Sequence, residues 1–255
     1  MSGPIRIAMW SGPRNISTAM MRSFGNRPDT AVIDEPFYAA YLAATGIDHP
    51  MREESIASQP TDWHAVVRGL LGDVPDGKPV FYQKHMTHHM LPAFGRNWIA
   101  HCRNAFLIRS PERVLASYVK KWDKVALADI GFVQQSELFD RVCDAVGRAP
   151  PVIEAEDVLA DPRDTLSTLC AALGIPFFES MLSWRAGKRA TDGVWAPVWY
   201  DAVERSTGFS APRGATEEPL PPHFAVIADA ARPHYERLRT HKLRQVTSSV
   251  YGKSV

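Results

Sequence analysis

Five short apolar runs punctuate the chain: IRIAMW over residues 5–10, TAVI over 30–33, PVFYQ over 79–83, NAFLI over 104–108 and PVIE over 151–154. Turn-formers or polar stretches bound each run, and most are rich in β-branched or aromatic side chains, as strands are. Their apolar positions follow one another without polar alternation. Such runs suit a parallel sheet covered on both faces.

The intervening segments change to helical spacing. Residues 17–25 follow the first run, and DWHAVVRGLL over 62–71 precedes the third. In 111–121, Val114, Leu115 and Tyr118 share one helical face and the last turn is basic. Over 162–173, Asp161 stands as a cap, Pro162 takes the first helical position and Gly174 is the stop. A final helix is expected from about Pro222 to His241, ending basic. Strand and helix alternate, which predicts an α/β fold of three layers: a mainly parallel sheet of about five strands with helices on both faces. A single domain over 1–255 is expected, with loop or lid insertions near 37–75, 122–140 and 184–222. The first insertion should include a mobile helical excursion, and the last is rich in Gly, Pro, Trp and Arg.

Composition narrows the classes. Hydrophobic residues make up 45% and charged residues 22%, ordinary for a globular chain able to bury a core. The net charge of +1 argues against a nucleic-acid or membrane-surface protein, so neither partner is expected. Cys102, Cys143 and Cys170 form no CxxC pair, and reduced thiols are the expectation. With no signal-like start and no apolar run of membrane length, a cytoplasmic location is expected. Nothing bears on oligomeric state.

In an open parallel sheet, ligands collect beyond the carboxyl ends of the strands. The residues there are SGPRNIST after the first run, Asp34-Glu35-Pro36 after the second, and Lys84-His85-Met86-Thr87-His88-His89 after the third. Arg109-Ser110-Pro111 follows the fourth and Ala155-Glu156-Asp157 the fifth. In the first loop Gly12 permits a tight turn and Pro13 stiffens it. Arg14 offers a planar donor fork for phosphate or sulfate oxygens. Ser17 and Thr18 add hydroxyls, and the helix start adds free backbone N–H groups. Taken alone, this could equally be a capped helix. In LIRSPERVLASY, Arg109 stands at a strand end and Ser117 lies two helical turns later, able to return toward the same ligand.

These two elements together resemble the sulfotransferases that use 3′-phosphoadenosine 5′-phosphosulfate, which have a fold like that of P-loop nucleotide hydrolases. That family's first loop reads Pro-Lys/Arg-Ser-Gly-Ser/Thr-Thr and cradles the 5′-phosphosulfate. Pro13, Arg14, Ser17 and Thr18 agree with it, while Asn15-Ile16 stands where the family has Ser-Gly. Arg109 and Ser117 match the pair that holds the 3′-phosphate. AEDVLADPRDTLSTLCAALGIPF resembles the family's acidic strand end and Pro-led helix, and the likeness spans roughly residues 5–200. A segment of Arg, Gly and Trp usually closes the 3′-phosphate site. Its counterpart here is Arg185, Gly187, Lys188 and Arg189, followed by Gly193 and Trp195.

The resemblance implies sulfuryl transfer from that co-substrate to a hydroxyl of a small-molecule acceptor, with no metal required. Gly12, Pro13, Arg14, Asn15, Ile16, Ser17 and Thr18 would bind the donor together with Arg109, Ser117 and the 185–189 segment. Arg14 and Lys84 are the candidates for neutralising charge on the leaving oxygen. The family supplies two kinds of base: a glutamate after the second strand, here Glu35, or a histidine after a third-strand lysine, here His85 or His88. A histidine starts near about 6.5 and a glutamate near about 4.3, so the glutamate needs desolvation or a neighbouring carboxylate. The histidines of KHMTHHM lack a second His/Cys cluster to complete a metal site. Trp184, Trp195, Trp199 and Tyr200 could wall a ligand or form a satellite core. Two other readings stay open. A small-molecule kinase or nucleotide hydrolase would need a lysine near the end of the first loop, where Ile16-Ser17 stands. A non-catalytic nucleotide-binding protein would tolerate the altered loop.

Overall fold

A computed structural model describes residues 3–119, 125–210 and 220–244. Five parallel strands form one sheet: β1 (Ile5–Ser11), β2 (Thr30–Asp34), β3 (Val80–Met86), β4 (Arg103–Ile108) and β5 (Val152–Glu154), in the order β2-β3-β1-β4-β5. β1 sits at the centre, with Ile5 opposite Val80 on one side and Ile7 opposite Arg103 on the other. The five expected runs are the five strands, with ends moved by a residue or more. The largest move is in β3, which runs on through Lys84, His85 and Met86. Those residues belong to the strand, not to a loop beyond it.

Eleven helices connect and cover the sheet among the described residues: α1 (Ser17–Gly25), α2 (Tyr38–Thr45), α3 (Arg52–Ser58), α4 (Trp63–Leu71), α5 (Pro111–Tyr118), α6 (Phe132–Val146), α7 (Ala155–Ala160), α8 (Pro162–Ala172), α9 (Ala196–Trp199), α10 (Asp201–Glu204) and α11 (Pro222–Arg239). Strand alternation divides the core in two. Ala8, Trp10, Phe81 and Phe106 face Val66, Leu115, Phe139 and Ala228 of α4, α5, α6 and α11. Ile7, Met9, Tyr82 and Leu107 face Met20, Phe24, Val158 and Leu169 of α1, α7 and α8. Helices therefore cover both faces, as the unbroken apolar runs require. A third, smaller cluster joins Tyr38 and Leu42 of α2 to Trp195, Ala196 and Tyr200.

Local signals behave as expected at several helix ends. Asp161 Oδ1 accepts the Asp164 N–H at 3.0 Å and Pro162 opens α8. Asp62 caps α4 through the His64 N–H. Residues 37–60, where a helical excursion was expected, contain α2 and α3. The helix expected over 111–121 is described to Tyr118, and Lys120–Lys121 lie outside the described residues. The insertion expected near 122–140 proves partly helical. From Phe132 onward it is α6, which buries Phe132, Gln135, Ser136, Leu138, Phe139 and Val142. No helix among the described residues is long and apolar enough to cross a membrane.

Candidate active site

The carboxyl ends of β2, β3, β1 and β4 open into a cavity of about 360 Å³, within the ordinary size range of small-molecule sites. Its first wall is the turn from β1 into α1. Pro13 through Thr18 all line it. Arg14 and Ile16 take left-handed backbone angles, φ 57° and 44°. Asn15 pins the turn to the next strand, its Nδ2 donating to the Leu107 carbonyl at 2.7 Å. Ile16 occupies the position before α1 and gives no side-chain cap, so the first N–H groups of that helix are left for another acceptor. Gly12 is absent from the cavity wall. Its place is steric, because a Cβ there would meet the Ile130 carbonyl oxygen at 2.7 Å.

β4 lies beside β1, so the residue after β4 reaches the same turn. Arg109 Nη1 donates to the Arg14 carbonyl at 2.9 Å, and Arg14 Nε donates to Ser117 Oγ of α5 at 3.0 Å. Arg14, Arg109 and Ser117 all line the cavity. Glu156 at the start of α7 steadies the second guanidinium, with Arg109 Nε 3.1 Å from its Oε1. Burial and then the Arg109 charge push the Arg14 pKa below its ordinary value. Two guanidinium groups this close, of which Arg109 alone is paired with Glu156, favour an anion in the hollow.

The second wall is a buried polar knot at the ends of β2 and β3. Lys84 spends all three of its protons there: on Asp34 Oδ1 at 2.8 Å, Glu35 Oε1 at 2.6 Å and the Tyr200 oxygen at 2.7 Å. The Tyr200 hydroxyl donates to Asp34 Oδ2 at 2.6 Å, and Trp195 Nε1 donates to the Tyr200 oxygen at 3.1 Å. Gly193 N–H also donates to Asp34 Oδ2, at 3.0 Å. Burial works against the Lys84 charge, but Asp34 and Glu35 outweigh it and hold its pKa well above the usual value. Glu35 lies at φ 41°, and its side chain is 12% exposed. Burial raises its pKa, Lys84 opposes that and Asp34 reinforces it; the net direction is up. A carboxylate so placed is a stronger base than an ordinary glutamate.

Beyond Glu35 the cavity turns aromatic. Tyr38, His49, His88, His89, Trp195 and Trp199 line this end. Tyr38 stacks on His89 with centroids 4.7 Å apart and meets Trp195 edge-on at 4.9 Å. Burial lowers the pKa of His49, takes His88 down to about 3 and takes His89 well below its usual value, so these rings stay neutral.

The structure thus brings together Pro13, Arg14, Asn15, Ile16, Ser17, Thr18, Glu35, Lys84, His88, Arg109 and Ser117. Other expected residues fall elsewhere. His85 follows Lys84 in β3, so its side chain enters the opposite face. There it is buried, stacked on Trp10 at 4.5 Å, and its pKa is pushed down to about 3 by burial alone. A ring in that position cannot serve as base at this cavity. Arg185, Gly187, Lys188 and Arg189 do not line the cavity either. Arg189 Nη1 donates to the Gly187 and Lys188 carbonyls, its Nη2 to the Arg185 carbonyl, and its N–H to Asp192. The segment therefore closes on itself. It is tied outward by the Gly187 N–H, which donates to the Glu204 carbonyl at 2.6 Å, and through Asp192 by the buried Arg22–Asp192 pair at 2.6 Å. Sequence reasoning missed Asp34, Tyr38, His89 and the polar role of Tyr200. Asp34 and His89 did stand beside residues that were singled out. Tyr200 stood out only as a member of the aromatic group; its bond to Asp34, 166 residues away, has no local sign. Among the described residues, no cluster of three or more His, Cys, Asp or Glu is placed to hold a metal ion.

Comparison with known proteins places the geometry in context. A family model described as "Sulfotransferase domain" matches residues 5–241. Two curated proteins of Arabidopsis thaliana are similar: branched-chain-amino-acid aminotransferase-like protein 1, 36% identical over 94% of this chain, and the corresponding protein 2, 34% identical over 92%. The chain spans 43% and 41% of their lengths, less than half of each. Among solved structures, a sulfotransferase from Alicyclobacillus acidocaldarius aligns with TM-score 0.53 at 15% identity, covering 95% of this chain and 98% of that one. The sulfotransferase domain from the curacin biosynthetic pathway aligns with TM-score 0.50 at 16% identity, over 91% and 99%. At these identities the two structures speak for the fold.

Proposed function

The chain belongs to the sulfotransferase domain family; from that premise we propose that it is an enzyme that transfers the sulfuryl group of 3′-phosphoadenosine 5′-phosphosulfate to a hydroxyl of a small molecule. One observation carries the reading. Arg14 and Arg109 face one hollow, joined through the Arg14 carbonyl at 2.9 Å, so a single ligand with two separated anionic groups can engage both. The residues fit such a donor: an uncapped helix start beside Arg14 for one anion, and Arg109 with Ser117 for the other. When bound, the donor supplies the sulfuryl group and a nucleotide leaving group.

The chain's own groups do the rest. Arg14 and the N–H groups at the start of α1 hold the transferring end and oppose the charge that grows on its bridging oxygen. Ser117 fixes Arg14 from α5. Glu35 takes the acceptor proton. Lys84 acts through Glu35: its protons are committed to Asp34, Glu35 and Tyr200, so it sets the carboxylate's position and basicity. The aromatic end excludes water and seats the acceptor.

Thermal-shift measurements test the donor. 3′,5′-ADP should raise the melting temperature without metal, by an amount equivalent to about 2.7 kcal/mol at a hundred times its Kd. Plain 5′-ADP should shift it much less. In Arg109→Ala the response to 3′,5′-ADP should vanish. A response to Mg-ATP alone would overturn the reading.

A further inference from the structure

We propose that His89 is the second group that holds the acceptor, and that the acceptor is a flat hydroxyl compound without an anionic group, whose oxygen sits between Glu35 Oε2 and His89 Nδ1. This rests on the sulfotransfer reading above and assigns the atoms at its acceptor end.

The two atoms are 4.0 Å apart, too far for a hydrogen bond to each other. One oxygen at about 2.7 Å from each fits that span, with an angle near ~95° at the oxygen. Lys84 engages the other carboxylate oxygen, Oε1, at 2.6 Å, which leaves Oε2 toward the cavity. His89 is 2% exposed, yet its Nδ1 has no hydrogen-bond partner. A buried polar atom left so is unusual and costly unless a ligand completes it. The ring cannot swing to find another partner. It is stacked on Tyr38 at 4.7 Å with 6° between planes, and on Tyr41 at 4.9 Å. His88 stands edge-on to Tyr41 at 5.6 Å, so of the neighbouring histidines His89 is the one set against Glu35.

In the tautomer protonated at Nδ1, His89 donates to the acceptor oxygen while that oxygen donates to Glu35. In the reaction the hydroxyl proton passes to Glu35 Oε2. A bond forms from the acceptor oxygen to sulfur, and the bond from sulfur to the donor phosphate's oxygen breaks, its electron pair leaving with the phosphate. His89 keeps its proton throughout and serves to aim the oxygen. The charge of the acceptor follows from the walls. Around this end Lys84 is already matched by two carboxylates, Asp34 at 2.8 Å and Glu35 at 2.6 Å, so no cation is left over; the histidines beside them are neutral. A carboxylate carried in here would be desolvated with no cation to meet it. Tyr38, Trp195 and Trp199 offer flat apolar surface instead.

The test uses small probes in place of the acceptor. The full chain is saturated with 3′,5′-ADP and titrated with phenol, toluene and 4-hydroxybenzoate. Phenol should bind at least tenfold more tightly than toluene, which lacks the hydroxyl, and than the anionic 4-hydroxybenzoate. In His89→Phe the advantage of phenol over toluene should fall at least fivefold, while affinity for 3′,5′-ADP stays within twofold. His89→Asn, whose amide nitrogen reaches the place of Nδ1, should restore most of it, which a merely structural ring would not do. Equal binding of phenol and toluene to the wild-type chain, an unchanged preference in His89→Phe, or tighter binding of 4-hydroxybenzoate than of phenol would each overturn the proposal while 3′,5′-ADP binding upholds the donor reading. Loss of 3′,5′-ADP binding in the wild-type chain would instead sink both.

Discussion

Glu35 holds the most demanding position at the residue scale. Its backbone sits at φ 41°, a conformation that L residues adopt at a cost of about 1–2 kcal/mol, and such strain gathers where geometry matters for function. Burial lifts its pKa, with Lys84 opposing and Asp34 assisting. Its rate profile should therefore have an acid limb above the ordinary glutamate value of about 4.3, activity falling as pH drops through it. Glu35→Gln should lower kcat by about 10²–10⁴-fold and leave 3′,5′-ADP binding intact, as single-turnover and titration measurements would read. His85 makes a different prediction, about stability. Its folded pKa is depressed to about 3 against about 6.5 unfolded. Its contribution is present above 6.5 and is lost as pH falls toward 3, because the unfolded chain takes a proton that the folded one refuses. His85→Phe should flatten the pH dependence of urea stability in that window by up to about 1.4 kcal/mol per pH unit, with no matching change in the acid limb of the rate.

At the scale of elements, two devices aim the chemistry. The first is strand alternation in β3: Lys84 turns to the site and His85 to the core behind Trp10. The second is the fit of the β1–α1 turn beneath the segment before α6. Gly12 approaches the Ile130 carbonyl so closely that a methyl group would stand 2.7 Å from its oxygen, and both sides of that contact are backbone. Gly12→Ala should cost about 1–3 kcal/mol, seen as a lower urea midpoint with an unchanged slope, and should weaken 3′,5′-ADP binding because the displaced turn carries Arg14. Asn15-Ile16, where the family resemblance has Ser-Gly, does not prevent the left-handed turn: Ile16 adopts φ 44° without glycine. Asn15 supplies an anchor to Leu107. The helix α6 shows how an element hides. Its inner face includes Gln135 and Ser136, and Gln135 Nε2 donates to the Leu107 carbonyl at 2.9 Å, so its buried stripe does not read as apolar.

For the molecule as a whole, the site depends on a late segment brought back to the first half of the chain. Asp34 receives Gly193 N–H and the Tyr200 hydroxyl, and Arg22 of α1 meets Asp192 in a pair whose side chains are 2% and 5% exposed. Breaking a buried pair from one side costs about 3–5 kcal/mol. Arg22→Met should show that loss in chemical denaturation and should open residues 185–193 to limited proteolysis before global unfolding. The sequence by itself determined the layers and the strand ends where the chemistry collects, because these follow from local apolar runs, capping residues and turn-formers. It also pointed to Arg14, Glu35 and Arg109, which stand just beyond strand ends in a parallel sheet, and to Ser117 two helical turns after Arg109; all four line the cavity. Tertiary structure alone decided which side of β3 faces the cavity, that His89 and not His85 approaches Glu35, and that the Arg189 guanidinium turns onto its own loop. Those outcomes depend on register and on contacts between residues far apart in the chain, such as Tyr200 with Asp34, and local pattern carries no record of either.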